Sequence, residues 1–90
     1  MSFTVDVDAG EATFQYAASV NYGGARVYVF NRTQGRGIID TAREDGSVGP
    51  TAPFPAVLDD EVSITFETDE QAVSTCVVIR EGVPSQICGG

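Results

Sequence analysis

The chain of 90 residues has no histidine, no lysine and no tryptophan, and carries two cysteines and one methionine. Without histidine or lysine the usual general bases, Schiff-base amines and imidazole metal ligands are missing, so no enzyme activity is expected. Cations are scarce: five arginines face thirteen aspartates and glutamates, leaving a formal charge of −8. That is the wrong sign for gripping a phosphate backbone, which excludes nucleic acid as a partner. No apolar run approaches the length of a membrane span, so insertion into a bilayer is not expected. Helical spacing is absent too, since no window beyond a turn or two places apolar residues at intervals of three and four.

What the chain has instead is period-two alternation, the mark of half-buried strands. Ninety residues predict a single domain over 1–90, with a thin core, since a chain this short buries roughly 60% of its extended surface. Phe3, Val5 and Val7 alternate with polar residues, and after a turn at Asp8-Ala9-Gly10 so do Ala12, Phe14, Tyr16, Ala18 and Val20. Asn21-Tyr22-Gly23-Gly24 signals a turn, Ala25 to Phe30 a third strand, and Gly37 to about Arg43 a fourth. Glu44-Asp45-Gly46-Ser47 is the next turn, and the prolines at 50, 53 and 55 confine that stretch to edge or loop, with brief pairing expected at Ala56-Val57-Leu58. Val62, Ile64 and Phe66 give a clean half-buried strand, and a last long strand runs from Gln71 to Arg80. Seven or eight short strands at this turn spacing predict an all-β, antiparallel two-sheet β-sandwich, with a small barrel as the neighbouring solution.

Within this pattern, the runs Gly24-Ala25-Arg26-Val27-Tyr28-Val29-Phe30-Asn31-Arg32-Thr33-Gln34-Gly35, Thr41-Ala42-Arg43-Glu44-Asp45-Gly46-Ser47 and Leu58-Asp59-Asp60-Glu61-Val62-Ser63-Ile64 resemble bacterial immunoglobulin-like and carboxypeptidase-regulatory-like modules. The resemblance covers roughly residues 23–67. It departs in two places: Asp60 stands where Gly-Asp is usual, and the proline-rich 50–55 segment replaces a plain strand. The resemblance implies an immunoglobulin-like sandwich on a cell surface or in a secreted assembly, serving as a spacer, stalk or adhesive module without catalysis.

Cys76 and Cys88 flank a β-run, a turn around Gly82 and a short return strand. In a hairpin centred on Gly82 they face each other, with Val77 opposite Ile87, and such a cross-strand pair is close enough to bridge. A cystine there closes a loop worth about 3 kcal/mol in the chain-entropy model and favours an oxidising compartment. Two buried thiols would carry no such message, and two cysteines without histidine make a poor zinc site. No basic and apolar leader follows Met1. Extracellular or cell-surface placement therefore goes with a mature fragment lacking its signal peptide, and a virion surface is the alternative setting.

Two groups of side chains are candidates for function. The carboxylates Asp8, Asp59 and Asp60, with Asp6, Glu11, Glu61 and Glu81, fall in turns that an up-and-down strand count gathers at one pole. Carboxylates at loop ends are how sandwich domains hold calcium, the one cofactor the sequence leaves open; the competing reading is of solvated turn acids that keep a β-rich surface soluble. Arg26, Tyr28 and Phe30 share one face of the third strand, with Ala25, Val27 and Val29 on the other. If the small aliphatic face packs inward, an Arg-Tyr-Phe patch of the kind enriched at interface hot spots points out, extended by Phe54 and Tyr22; if the faces reverse, the aromatics are core. The Asn31-Arg32-Thr33 triplet matches the N-glycosylation pattern.

The expected function is that of a non-catalytic structural or binding module acting through a protein partner. Self-association into a capsid-decoration or filament subunit is the alternative. A further one is a small inhibitor presenting the 50–55 loop with Phe54 at its tip.

Overall fold

The computed structural model describes residues 1–86, all-β and without helix. Eight antiparallel strands form in chain order: β1 (Ser2–Asp6), β2 (Glu11–Gln15), β3 (Arg26–Asn31), β4 (Arg36–Thr41), β5 (Phe54–Pro55), β6 (Glu61–Glu67), β7 (Ala72–Val78) and β8 (Ser85–Gln86). They make two sheets, one ordered β1-β2-β5 and the other β4-β3-β6-β7-β8, stacked as a small β-sandwich. The connection from β4 crosses to β5 in the other sheet, and β6 returns beside β3, so β3 is held on both sides.

Alternation sets the inner faces. Phe3, Ala12, Phe14 and Phe54 from the three-stranded sheet meet Val27, Val29, Val62, Ile64, Phe66, Val77 and Ile79 from the other, all buried in one core. The Phe3 ring packs on Phe14 at 5.4 Å and edge-on to Phe54 at 6.3 Å. A second aromatic group closes the far end, where Tyr22 stacks on Phe66 at 4.3 Å and Tyr16 touches both rings. Tyr22 therefore belongs to the core margin and does not extend an exposed patch.

Several expectations are corrected. Alternation continues through Val7 and on to Val20, but β1 ends at Asp6 and β2 at Gln15; Val7 is 71% exposed and Val20 fully so. The Asp6 carboxylate accepts from the Ala9 N–H, and the Gly10 N–H donates to the Asp6 carbonyl, turning the chain before Val7 can pair. Past Gln15, only Tyr16 pairs, with Val48, and the Ser19 N–H donates to Asp45 of the next turn. Gly46 makes that contact possible: its φ is +86° and a Cβ there would collide with the Ser19 backbone. Pairing expected at 56–58 falls instead at Phe54–Pro55, against Glu11 and Ala12. In the last hairpin Val77 opposes Gln86, not Ile87, shifting the expected register by one residue.

Phe54 is the largest correction. Short as it is, β5 lies inside the prolines, and its first side chain points into the sandwich with none of its surface exposed. A surface loop presenting Phe54 is thus replaced by a core anchor. Phe54→Ala should lower unfolding stability by about 3–5 kcal/mol, measured by urea denaturation, because the cavity left beside Phe3 cannot collapse fully.

Candidate functional site

The orientation of β3 resolves the open question about its two faces. Val27 and Val29 are buried, while Arg26, Tyr28 and Phe30 stand on the outer face of the five-stranded sheet, with Phe30 46% exposed. Register then extends the patch across neighbouring strands. Tyr28 opposes Ile39 of β4, which is 66% exposed, and Phe30 opposes Gly37, whose missing side chain leaves an apolar hollow beside Tyr28, Phe30 and Ile39. On the other side Tyr28 and Phe30 oppose Thr65 and Ser63 of β6, and Ser63 in turn opposes Cys76 of β7. The Tyr28 hydroxyl donates to Glu67 Oε1 at 3.0 Å, and the charge of Glu67 and the Tyr28 hydroxyl together raise the Arg26 pKa above its already high value, the hydroxyl acting most strongly. The result is an apolar centre at Phe30 and Ile39 with an Arg-Tyr-Glu group at one corner. Ile39 was missed from sequence because Ile38 and Ile39 are adjacent and leave no alternation to read.

The carboxylates take other roles. The pole expected of turns 8–11, 31–36, 59–61 and 81–84 is joined in part by backbone bonds, Ala56 N–H to the Gly10 carbonyl and Arg32 N–H to the Glu61 carbonyl. Yet among the described residues no three acidic or sulfur side chains stand together as a metal cluster. Asp59 ion-pairs with Arg80 at 2.6 Å, and Glu81 accepts from the Val5 N–H. Asp8 lies in the exposed turn after β1.

Asp60 is buried and structural. Its Oδ2 accepts from Asn31 Nδ2 at 2.8 Å, Gln34 Nε2 at 2.8 Å and the Val57 N–H at 3.1 Å. Burial pushes its pKa upward, but the side-chain amides of Asn31 and Gln34 and the Val57 N–H outweigh that and hold it below the ordinary carboxylate value. With three donors converging on one oxygen, this carboxylate braces the turn. Asn31 is fully buried, its Nδ2 also donating to the Pro55 carbonyl, so the Asn31-Arg32-Thr33 triplet is no acceptor for a glycan in the folded chain.

Cys76 is half-buried on β7, where Arg32 Nη1 donates to its Sγ at 3.5 Å. Cys88 and Ile87 lie outside the described residues. No helix among the described residues is long and apolar enough to cross a membrane. No protein-family model matches the chain, and neither a curated protein nor a solved structure is significantly similar to it.

Because the folded-state pKa of Asp60 is depressed, its stabilising effect is fully present above the unfolded value and is lost as pH falls through the folded one. Asp60→Ala should cost about 3 kcal/mol at neutral pH by leaving three donors short of an acceptor. In urea titrations the gap between wild type and variant should narrow below about pH 4, near the unfolded carboxylate value. A gap that stays constant down to pH 2 would mean that Asp60 acts by shape and not by charge.

Proposed function

We propose that this chain is a non-catalytic binding or structural module that works by protein–protein contact through the outer face of its five-stranded sheet. The carrying observation is the outward display of Tyr28, Phe30 and Ile39 on rigid paired strands, where small aliphatic residues fill the inner face instead. Aromatic and arginine side chains fixed by a sheet lose little entropy on binding and are the types that dominate interface energetics. The chain's acidity repels other acidic surfaces at long range, a second copy included, except where local charges complement one another.

Placement in a secreted or surface-exposed bacterial assembly belongs to the same reading. Its supports are the resemblance over residues 23–67 and a cystine between Cys76 and Cys88, which would staple a short last hairpin onto β7. A virion-surface subunit would share the same chemistry. The inhibitor reading has lost its contact residue, since Phe54 is core.

A photo-cross-linking amino acid placed at Phe30 should trap a protein in the producing cells, whereas the same group at exposed Val7, in the turn after β1, should not. Equal or absent adducts at the two positions would sink the face as a binding surface. For the cystine, alkylation of the native protein should label no thiol before reduction and two afterwards, read by mass spectrometry. Two labelled thiols in the unreduced protein would remove the argument for an oxidising compartment.

A further inference from the structure

A β-sandwich of open sheets has edges, and an uncovered edge is a template for another strand. Most edges of this fold are covered or guarded. Along β1, Phe3 exchanges two backbone hydrogen bonds with Gly82, at 2.8 and 2.9 Å, and the Glu81 carboxylate takes the Val5 N–H. The two residues of β5 sit between Pro53 and the ring of Pro55 itself. β4 differs. Among the described residues it hydrogen-bonds to β3 alone, and it is six residues long; β5, a strand of the other sheet, lies near it without pairing.

The alternation of an antiparallel ladder points every second residue's N–H and C=O away from the neighbouring strand. The Thr41 N–H donates to its neighbour's side chain, Asp40 Oδ1, at 2.8 Å, so Thr41 faces outward and with it Ile39 and Gly37. The sequence of this edge, Arg36-Gly37-Ile38-Ile39-Asp40-Thr41, is complementary to itself when reversed about Ile38. In that register Arg36 opposes the partner's Asp40 at both ends and Ile38 opposes the partner's Ile38. Gly37 opposes the partner's Ile39, so each exposed isoleucine covers the hollow left by a glycine beside Phe30. That glycine admits no side chain of its own, since a Cβ would run into the Val29 carbonyl and lie 2.7 Å from the Phe30 Cα. The outward-facing backbone groups of Gly37 and Ile39 are then the ones that exchange hydrogen bonds, and the faces of the two sheets match. The neighbouring register, centred on Ile39, sets Ile38 against the partner's Asp40 and leaves both arginines without a counter-charge.

We propose that two copies of this chain pair through β4, antiparallel about Ile38, to join their five-stranded sheets into one continuous sheet. The interface is isologous and closes on itself, giving a dimer and not a filament. It rests on the reading of the protein as a contact module and names the partner as a second copy. The two readings fail separately: loss of cross-links at position 30 removes the face, and a monomer mass removes the dimer.

Sedimentation equilibrium of the full chain should show a dimer at high micromolar concentration. Ile39→Pro removes one outward N–H without touching the β3 ladder and should give a monomer with an unchanged far-UV circular dichroism spectrum. Arg36→Asp alone should weaken dimerisation by about tenfold or more, through like charges placed opposite one another. Combining it with Asp40→Arg, which exchanges the charges, should restore the affinity to within about threefold of wild type, the coupling expected of a contacting pair. The charge variants keep the test informative should the proline variant fail to fold. A monomeric wild type, or a dimer indifferent to Arg36→Asp, would overturn the proposal; a charge exchange that fails to rescue would overturn the register about Ile38.

Discussion

The Asp60 carboxylate is the contact on which the arrangement of the two sheets depends. Asn31 at the end of β3 and Gln34 in the β3–β4 turn donate to it, and so does the Val57 N–H in the link from β5 to β6. Its own backbone carbonyl takes the Ile79 N–H just past β7. Asn31 completes the junction by donating to the Pro55 carbonyl of the opposite sheet. One acidic residue thus ties β3, the β3–β4 turn, the crossover and the end of β7 together. An ionised carboxylate is costly to desolvate, and three hydrogen bonds to one oxygen, one of them from fully buried Asn31, offset that cost. Among the described residues no buried side-chain polar atom lacks a partner. A hydrophobic substitute would keep the volume and lose the directional register that holds the crossover in place.

The geometry around it accounts for the neighbouring residue as well. Asp59 has φ +76°, a left-handed conformation that glycine adopts freely and aspartate tolerates better than most residues. Its side chain then reaches Arg80, while Asp60 turns inward. Two adjacent acids of the same turn, indistinguishable by composition, therefore divide into an exposed ion pair, worth little in water, and a buried brace. Sequence shows the charge and the turn of such a pair but not the direction of each side chain.

The same distinction explains what the sequence made legible. Strands β1, β2 and β6 stand out by alternation, and Gly46, with its neighbours Asp45 and Ser47, marks the turn it occupies. Alternation does not show where pairing stops: Val7 and Val20 continue the pattern into exposed chain because the Asp6 and Asp45 turns, not hydrophobicity, end the ladders. It is also blind where both faces of a strand are apolar. On β3 the choice between Val27 with Val29 and Tyr28 with Phe30 depends on the space between the sheets, which the large rings of Phe3, Phe14 and Phe54 have already filled from the other side. The burial of Phe54 escapes the sequence for a related reason: three prolines describe a backbone that cannot sit in the middle of a sheet, yet a two-residue edge strand needs only one inward side chain to anchor it.

Filling the interior with phenylalanines from the small sheet has a consequence for the surface. The five-stranded sheet can meet that layer only with valines, isoleucines and a single Phe66, so the remaining aromatic surface of β3 is displaced outward. A chain of charge −8 repels copies of itself at long range, which guards such an exposed face against indiscriminate sticking. Association is then left to places where local charge reverses the general repulsion. Few places qualify in a chain with only five cations. Arg26 sits among Tyr28 and Glu67, Arg32 lies against Cys76, Arg43 is tied to Ser47 and the Gly49 carbonyl, and Arg80 is paired with Asp59. Arg36, on the open edge, is the one whose complement, Asp40, lies on the same strand at the distance that only a reversed second strand can bring into register.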